Sequence, residues 1–185
     1  MGVTLAADLN ADNVLAEGFR EHFADVRRFA YARTNAAAAD DIASETFARA
    51  VKLWPRFDPA KGSLRAWLFG IAANVAREHD RSERRHRRAL TRVAGERSCE
   101  ACGDSGARRI DNGEVVIALL SQLRPPVRDV LLLVGGFGLS YVEAATALGI
   151  PLGTVASRMS TGRRQLKRLL GASETAGMAR RRWKQ

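Results

Sequence analysis

The sequence predicts an all-α protein of two small helical domains joined by a flexible linker. Apolar residues recur at spacings of three and four along most of the chain, and no segment is rich in β-type patterns. Glycines and serines interrupt this periodicity over residues 89–112. Residues 139–170 contain two helical patterns separated by a Gly-Ile-Pro turn, which is typical of a helix-turn-helix.

The composition indicates a soluble protein with an anionic partner. The 185 residues suffice for two small domains, and a net charge of +10 favours nucleic acid or a membrane surface. The longest apolar run, 130–134, is far shorter than the ~20 residues that span a bilayer. Residues 1–13 lack a basic segment followed by an apolar one, so no signal peptide is predicted. We expect a cytoplasmic protein without direct membrane insertion.

The first domain is expected over residues 14–88, after a loose tail at 1–13. A second helical pattern opens with Asp40 and Asp41, acids suited to a helix N-terminus, and ends at Pro55. Ser63 is expected to cap a third helix. The apolar residues of the first helix recur at helical spacing: Leu15, Phe19, Phe23, Val26 and Phe29.

The third helix runs into a strongly basic segment. Seven arginines lie between Arg77 and Arg92 against three acids, which could be no more than a solvated helix face. However, Trp67 and Asn74 directly precede them, although Trp67 could equally belong to the core. Aromatic rings stack on bases and arginines bind phosphates, so this mixture suits single-stranded DNA.

The second domain is expected over residues 113–170, followed by a basic tail at 171–185. Ser140 and Glu143 form a capping-box pattern, Gly149 can turn the chain, and Thr154 is expected to cap the second helix. That helix carries basic residues and no acid: Arg158, Arg163, Arg164, Lys167 and Arg168. Such a helix fits the major groove, whereas the simpler alternative is an amphipathic hairpin with a solvated basic face.

Cys99 and Cys102 form an isolated Cys-x-x-Cys pair in the linker. Two thiolates supply half of a tetrahedral zinc site, and His79 and His86 could complete it. Thiol-disulfide switching and the absence of any role are the other possibilities. We therefore predict no metal site and no cofactor, with this pair as the sole metal candidates.

The helix-turn-helix closely resembles the promoter-binding motif of the extracytoplasmic-function (ECF) sigma factors of bacterial RNA polymerase. The matching segments are Leu139-Ser140-Tyr141, Gly149–Val155, Ser157-Arg158 and the upstream Leu123–Pro126. The first domain also resembles this family: 40–54 is similar to its polymerase-docking helix, and 57–74 to the segment that melts the minus-ten element. Both domains thus resemble the family in the same order.

The resemblance implies three functional surfaces, whose residues are as follows. The polymerase-binding residues are Asp40, Asp41, Glu45 and Arg49. The minus-ten DNA residues are Asn74, Arg77, Arg81, Arg84, Arg85, Arg87 and Arg88. The minus-thirty-five DNA residues are Ala156, Ser157, Arg158, Ser160, Thr161, Arg163 and Arg164.

The function implied is a sigma factor that binds core RNA polymerase, directs it to promoter DNA and helps open the minus-ten element. An anti-sigma factor is a further expected partner. The alternative is a stand-alone helix-turn-helix regulator, responsive to metal or redox state through the cysteine pair. No phosphate-binding glycine motif and no paired nucleophile and base are visible, so an enzyme is not expected.

Overall fold

The computed structural model describes residues 3–34, 36–94 and 112–182, with side chains over 16–34, 36–91 and 116–171. The all-α prediction is confirmed, since none of these residues forms a strand. No helix in the described ranges is long and apolar enough to cross a membrane. The helices are α1 (Val3–Arg33), α2 (Ala36–Leu53), α3 (Leu64–Ala94), α4 (Asn112–Ser121), α5 (Pro125–Val130), α6 (Tyr141–Leu148) and α7 (Leu152–Arg182).

The first domain packs α1, α2 and α3 around one apolar core. Phe29, Ile42, Leu68 and Phe69 are each at most 1% exposed, which places one stripe of every helix in this core. Two short 3₁₀ turns connect α2 to α3. Ser63 Oγ accepts a hydrogen bond from the backbone of Ala66, so its predicted capping role is confirmed.

The second domain contains α4 to α7, with α5 continuing into a π-helical turn at Leu131–Gly136. Leu120, Val130, Leu133 and Val155 form its buried interior. A π-turn has one more residue in each hydrogen-bonded loop than an α-turn. The extended segment before α6 follows this π-turn.

Several predicted boundaries are wrong because alanine-rich sequence extends the helices. α1 begins at Val3 within the expected tail 1–13, and α2 begins at Ala36 rather than at the acids. Alanine is the strongest helix former, which explains both extensions. α3 continues through 89–94, where the linker was expected to have begun, and α7 continues through much of the expected tail 171–185. Cys99 and Cys102 lie outside the described residues.

Gly162 has a packing reason that the sequence did not reveal. A Cβ at this position would lie 2.4 Å from Leu131 Cδ1 and 3.0 Å from Val127 Cγ1. Glycine in a helix interior costs about 0.5–1 kcal/mol relative to alanine, but here it lets α7 approach α5 closely. α7 is therefore packed against the core of its domain at a position where no side chain larger than hydrogen fits.

We predict that Gly162→Ala lowers the free energy of unfolding. The overpacking penalty of about 1–3 kcal/mol exceeds the gain of about 0.5–1 kcal/mol in helix propensity. Urea denaturation followed by circular dichroism measures the change. The control is Gly153→Ala in the same helix, where an added Cβ meets nothing within 4 Å. Equal or greater stability of Gly162→Ala relative to that control would contradict the packing argument.

Candidate nucleic-acid interface

A cavity of about 330 Å³ lies beside α3, at the segment that the sequence assigned to minus-ten DNA. Two aromatic rings line it, those of Phe57 and Trp67, whose centroids are 5.1 Å apart. Trp54 packs against Phe57 at a centroid distance of 5.2 Å but does not line the cavity. Trp67 is half-buried, so it is both a packing residue and part of the cavity lining. Aromatic faces of this kind can stack on an unpaired base.

Asn74 lies at the edge of this cavity on an exposed turn of α3. Its Oδ1 accepts a hydrogen bond from Arg77 Nη2 at 2.8 Å, and Arg77 Nε also donates to the carbonyl of Ala73 at 3.0 Å. These bonds anchor Arg77 to the helix and orient the amide. Residues 78–82 are helical because α3 continues without interruption from Leu64 to Ala94.

Most of the predicted minus-ten residues share one face of α3. At about 100° per residue, the spacing of three and four from Asn74 to Arg88 forms a continuous stripe. Arg87 lies about 100° from Arg88 and faces another side, so the helix does not bring it to this stripe. The arginines from 81 to 88 are all exposed. The stripe consists of Asn74, Arg77, Arg81, Arg84, Arg85 and Arg88.

The acids predicted to bind polymerase lie on the exposed side of α2, although in its second turn rather than at its start. Asp41, Glu45 and Arg49 form one row at a spacing of four. Arg49 bridges Glu45 at 2.6 Å and Glu78 of α3 at 2.7 Å, and these carboxylates raise its pKa. Asp40 lies off this row and pairs with Arg27 of α1, which lowers its pKa.

The helix-turn-helix consists of α6 and α7. The predicted capping box is present: the Glu143 backbone donates to Ser140 Oγ at 3.2 Å, and the Ser140 backbone donates to Glu143 Oε2 at 2.9 Å. Gly149 ends α6 with φ of 62°, a left-handed conformation that favours glycine. The prediction for Thr154 is wrong, because α7 begins at Leu152 and the carbonyl of Pro151 accepts its first hydrogen bonds.

The exposed face of α7 carries most of the predicted minus-thirty-five residues. Arg158 and Thr161 are half-buried and lie at the edge of this face. Lys167 extends the face by one turn, and its spacing of three and four from the arginines could have identified it. Val155 and Met159 point into the core on the opposite side. The residues on the exposed face are Ala156, Ser157, Ser160, Arg163, Arg164 and Lys167.

No group of three or more histidine, cysteine, aspartate or glutamate side chains suited to a metal occurs in the described part of the chain. Phe57 is a cavity residue that lies in the predicted segment 57–74 but was not named among the site residues. Its aromatic side chain in the connection between α2 and the capped helix α3 is a signal that could have identified it.

Comparison with known proteins defines the class. A model of sigma-70 region 2 matches residues 19–95, and a model of sigma-70 region 4 matches residues 113–166. The first match falls on α1 to α3 and the second on α4 to α7, so the two matches in this order define a sigma factor of the sigma-70 type.

The relatives narrow this class. The ECF RNA polymerase sigma factor SigC of Mycobacterium tuberculosis is 37% identical over 139 residues, covering 75% of this chain and 74% of the relative. The ECF sigma factor EcfG of Rhodopseudomonas palustris is 35% identical over 136 residues, covering 74% and 73%. The chain belongs to the ECF sigma factors.

Solved structures share the fold. The sigma factor RpoE of Bartonella quintana, solved with the anti-sigma factor NepR, superposes with a TM-score of 0.64 at 24% identity, over 84% of this chain and 96% of that one. CnrH, solved with the cytosolic domain of CnrY, superposes with a TM-score of 0.63 at 26% identity, over 87% and 90%.

We predict that the capping box contributes stability that depends on pH. Hydrogen bonds from the backbone and hydroxyl of Ser140 lower the pKa of Glu143 below its ordinary value of 4.5. The carboxylate of Glu143 therefore contributes fully to the free energy of unfolding at a pH above its pKa in the unfolded chain. This contribution is lost as the pH falls through its lower pKa in the folded chain. Glu143→Gln should therefore be less stable than the parent chain by up to about 1 kcal/mol at neutral pH.

Urea denaturation from neutral pH to about pH 3 measures this difference, which should shrink on acidification. Glu17→Gln, an exposed substitution in α1, is the control and should follow the parent chain throughout. A difference for Glu143→Gln that stays constant over the whole range would contradict the assignment.

Proposed function

We propose that this chain, as an ECF sigma factor, binds core RNA polymerase, directs it to promoters through two DNA elements and helps open the minus-ten element. The observation that carries the proposal is the pairing of two different DNA-binding surfaces on one chain. One is an exposed helix-turn-helix suited to duplex DNA, and the other is an aromatic cavity with an adjacent arginine stripe suited to unpaired bases. The chain itself is an initiation factor, and catalysis belongs to the polymerase.

The minus-ten surface acts by capturing bases once the duplex opens. Unstacking a base costs a few kcal/mol, and stacking on Trp67 and its neighbours with a hydrogen bond from Asn74 offsets that cost. The arginines of the stripe hold the phosphates on either side. The minus-thirty-five surface acts on closed duplex, where Arg163 and Arg164 position the helix, and Ser157 and Ser160 face the bases.

The row formed by the exposed Asp41 and Glu45 and the half-buried Arg49 on α2, with the neighbouring Asp40, is the proposed contact with the polymerase. An anti-sigma factor is a further proposed partner, because RpoE of Bartonella quintana, a sigma factor of the same fold, is solved with the anti-sigma factor NepR. These partners and promoter DNA require that the chain works in the bacterial cytoplasm.

Transcription by purified core polymerase on fragments of host DNA, with and without this chain, tests the function. New transcripts that start at shared sites only when the chain is present are the expected result. A stand-alone regulator would instead leave transcription by the core enzyme unchanged and protect duplex DNA without polymerase. That outcome would replace the proposal.

We predict that Asn74→Ala weakens promoter opening by roughly tenfold, because loss of a captured base costs about 1–3 kcal/mol. The defect should shrink on a template that is mismatched across the minus-ten element, since no base pairs must then be broken. Permanganate reactivity of unpaired thymines in the holoenzyme complex measures opening. Gln122→Ala, an exposed amide substitution in the turn directly after α4, is the control. Normal opening by Asn74→Ala on fully paired DNA would contradict this role.

We predict that replacing both Arg163 and Arg164 by alanine reduces the slope of log affinity against log salt by about 2, because two phosphate contacts are lost. Preference among minus-thirty-five sequences should change little, since these contacts position the helix. Holoenzyme binding to promoter fragments at several salt concentrations measures both quantities. Arg158→Ala, at the half-buried edge, is the control and should change the slope less. A change in sequence preference without a change in slope would contradict the assignment.

A further inference from the structure

The first turns of α7 carry only short or apolar side chains on their exposed face. In a helix-turn-helix, these turns of the second helix contact the edges of base pairs in the major groove. Arg158 is half-buried at the edge of the face, and the exposed arginines begin only at Arg163, about 10 Å further along the axis than Ala156. The exposed residues over 152–160 are Leu152, Gly153, Ala156, Ser157 and Ser160.

The most discriminating contacts to base edges need a long side chain that forms two hydrogen bonds at once. Arginine or lysine contacts guanine in this way, and asparagine or glutamine contacts adenine. None of the five exposed residues over 152–160 is of these types. This part of α7 therefore has no bidentate contact to offer, and its discrimination among bases must come from apolar contacts and single hydrogen bonds.

Two apolar side chains are exposed side by side on this face. Leu152 is 50% exposed, and Ala156 follows it by four residues, so the two are neighbours on the helix surface. Gly153 beside them has no side chain that would keep the helix away from the bases. The C5 methyl group of thymine is the apolar group that a base pair presents in the major groove. These two side chains therefore suit thymine.

Ser157 supplies a hydrogen-bond acceptor on the same face. Its hydroxyl donates to the carbonyl of Thr154 at 3.1 Å, so the hydrogen is used within the helix and the lone pairs of the oxygen remain. Such an oxygen accepts from the amino group of adenine or cytosine, whereas guanine presents only acceptors in the major groove. Of these two bases, adenine is the one whose partner carries a methyl group.

We propose that α7 selects A·T pairs in the minus-thirty-five element. Leu152 and Ala156 contact the methyl group of thymine, and the amino group of adenine donates to Ser157. The inference rests on the proposed function and adds the base pair that the helix selects. Arg163 and Arg164 hold phosphates and do not distinguish one sequence from another. Because each base contact is weak, the minus-thirty-five element contributes less to the choice of promoter than a bidentate arginine would.

Replacing thymine by uracil removes the methyl group and leaves base pairing unchanged. Holoenzyme binding is measured on a promoter found in the transcription experiment, with each thymine on either strand of the minus-thirty-five element replaced singly by uracil. We expect at least one replacement to weaken binding about fourfold, which corresponds to about 0.8 kcal/mol for a buried methyl group. The same replacement upstream of the element is the control. Unchanged binding at every thymine, or an element without A·T pairs, would overturn the proposal.

Leu152→Ala assigns the methyl contact to α7. It should weaken binding to the thymine template but hardly affect binding to the uracil template, because both changes remove the same contact. Leu170→Ala is the matched control and should leave binding to both templates unchanged. Leu170 is 49% exposed and lies on the same side of the helix, about five turns and 27 Å further along. If Leu152→Ala weakens binding to both templates equally, or to neither, the proposal is wrong.

A gain of specificity tests the position of Ala156. Ala156→Arg should create a preference for guanine at one position of the element of at least about fivefold, the lower end for a bidentate contact. Holoenzyme selection from promoters with a randomised minus-thirty-five element measures this preference. Ala118→Arg, which adds the same charge at an exposed alanine of α4, is the control and should create none. Absence of a new preference in Ala156→Arg would contradict a contact of Ala156 with the bases.

The same selection with the parent chain separates this inference from the proposed function. Promoter-specific transcription by the parent holoenzyme supports the proposed function whatever bases it prefers. We expect the selected elements to be enriched in A·T pairs. Enrichment of G·C pairs throughout the element, together with active transcription, would overturn the inference and leave the proposed function intact.

Discussion

The buried charge of Arg33 is the constraint around which the two domains are arranged. Its guanidinium faces Asp80 within its own domain and Asp129 of the other. Burial raises the pKa of Asp129 even though Arg33 opposes the shift, so the pairing only partly compensates the cost of removing the carboxylate from water. The contact of Arg33 with Asp129 holds α5 against the first domain. The chain then passes through the π-helical turn to Phe137, whose carbonyl accepts a hydrogen bond from the first domain. This bond places the following helix, α6, beside the cavity. One buried cation thereby links α1 and α3 of the first domain to α5 of the second.

The geometry of the proposed DNA surfaces depends on caps, turns and glycine contacts within the helices that carry them. The capping box and the left-handed Gly149 set the angle between α6 and α7, and Gly162 sets the distance of α7 from the core. The arginine stripe of α3 follows from helical spacing alone. Glu143 of the capping box also accepts a hydrogen bond from Ser63 of the first domain, and Thr146 and Ala147 of α6 line the cavity beside α3. The two surfaces are therefore in contact with each other.

The caps and turns within each domain were predictable from the sequence. The helix boundaries and the contact between the two domains were not. The capping box, the Gly149 turn and the all-α fold follow from short patterns of residues with specific physical roles. The start of α2 was missed because alanines 36–39 carry no apolar periodicity yet favour a helix strongly. Arg33 and Asp129 are 96 residues apart, and a charged residue in a sequence is normally exposed. Only the packing of three helices reveals that this pair is buried.

The buried charges of Arg33 and Asp129 respond to salt differently from the exposed arginines of the chain. Mobile ions screen exposed charges within a Debye length of about 8 Å, but they hardly reach a pair whose side chains are 0% and 3% exposed. The strength of this contact between the domains should therefore be nearly independent of ionic strength. Phosphate contacts weaken steadily with the logarithm of salt concentration. In a salt titration, a loss of DNA affinity should therefore come from the exposed arginines and not from the buried pair.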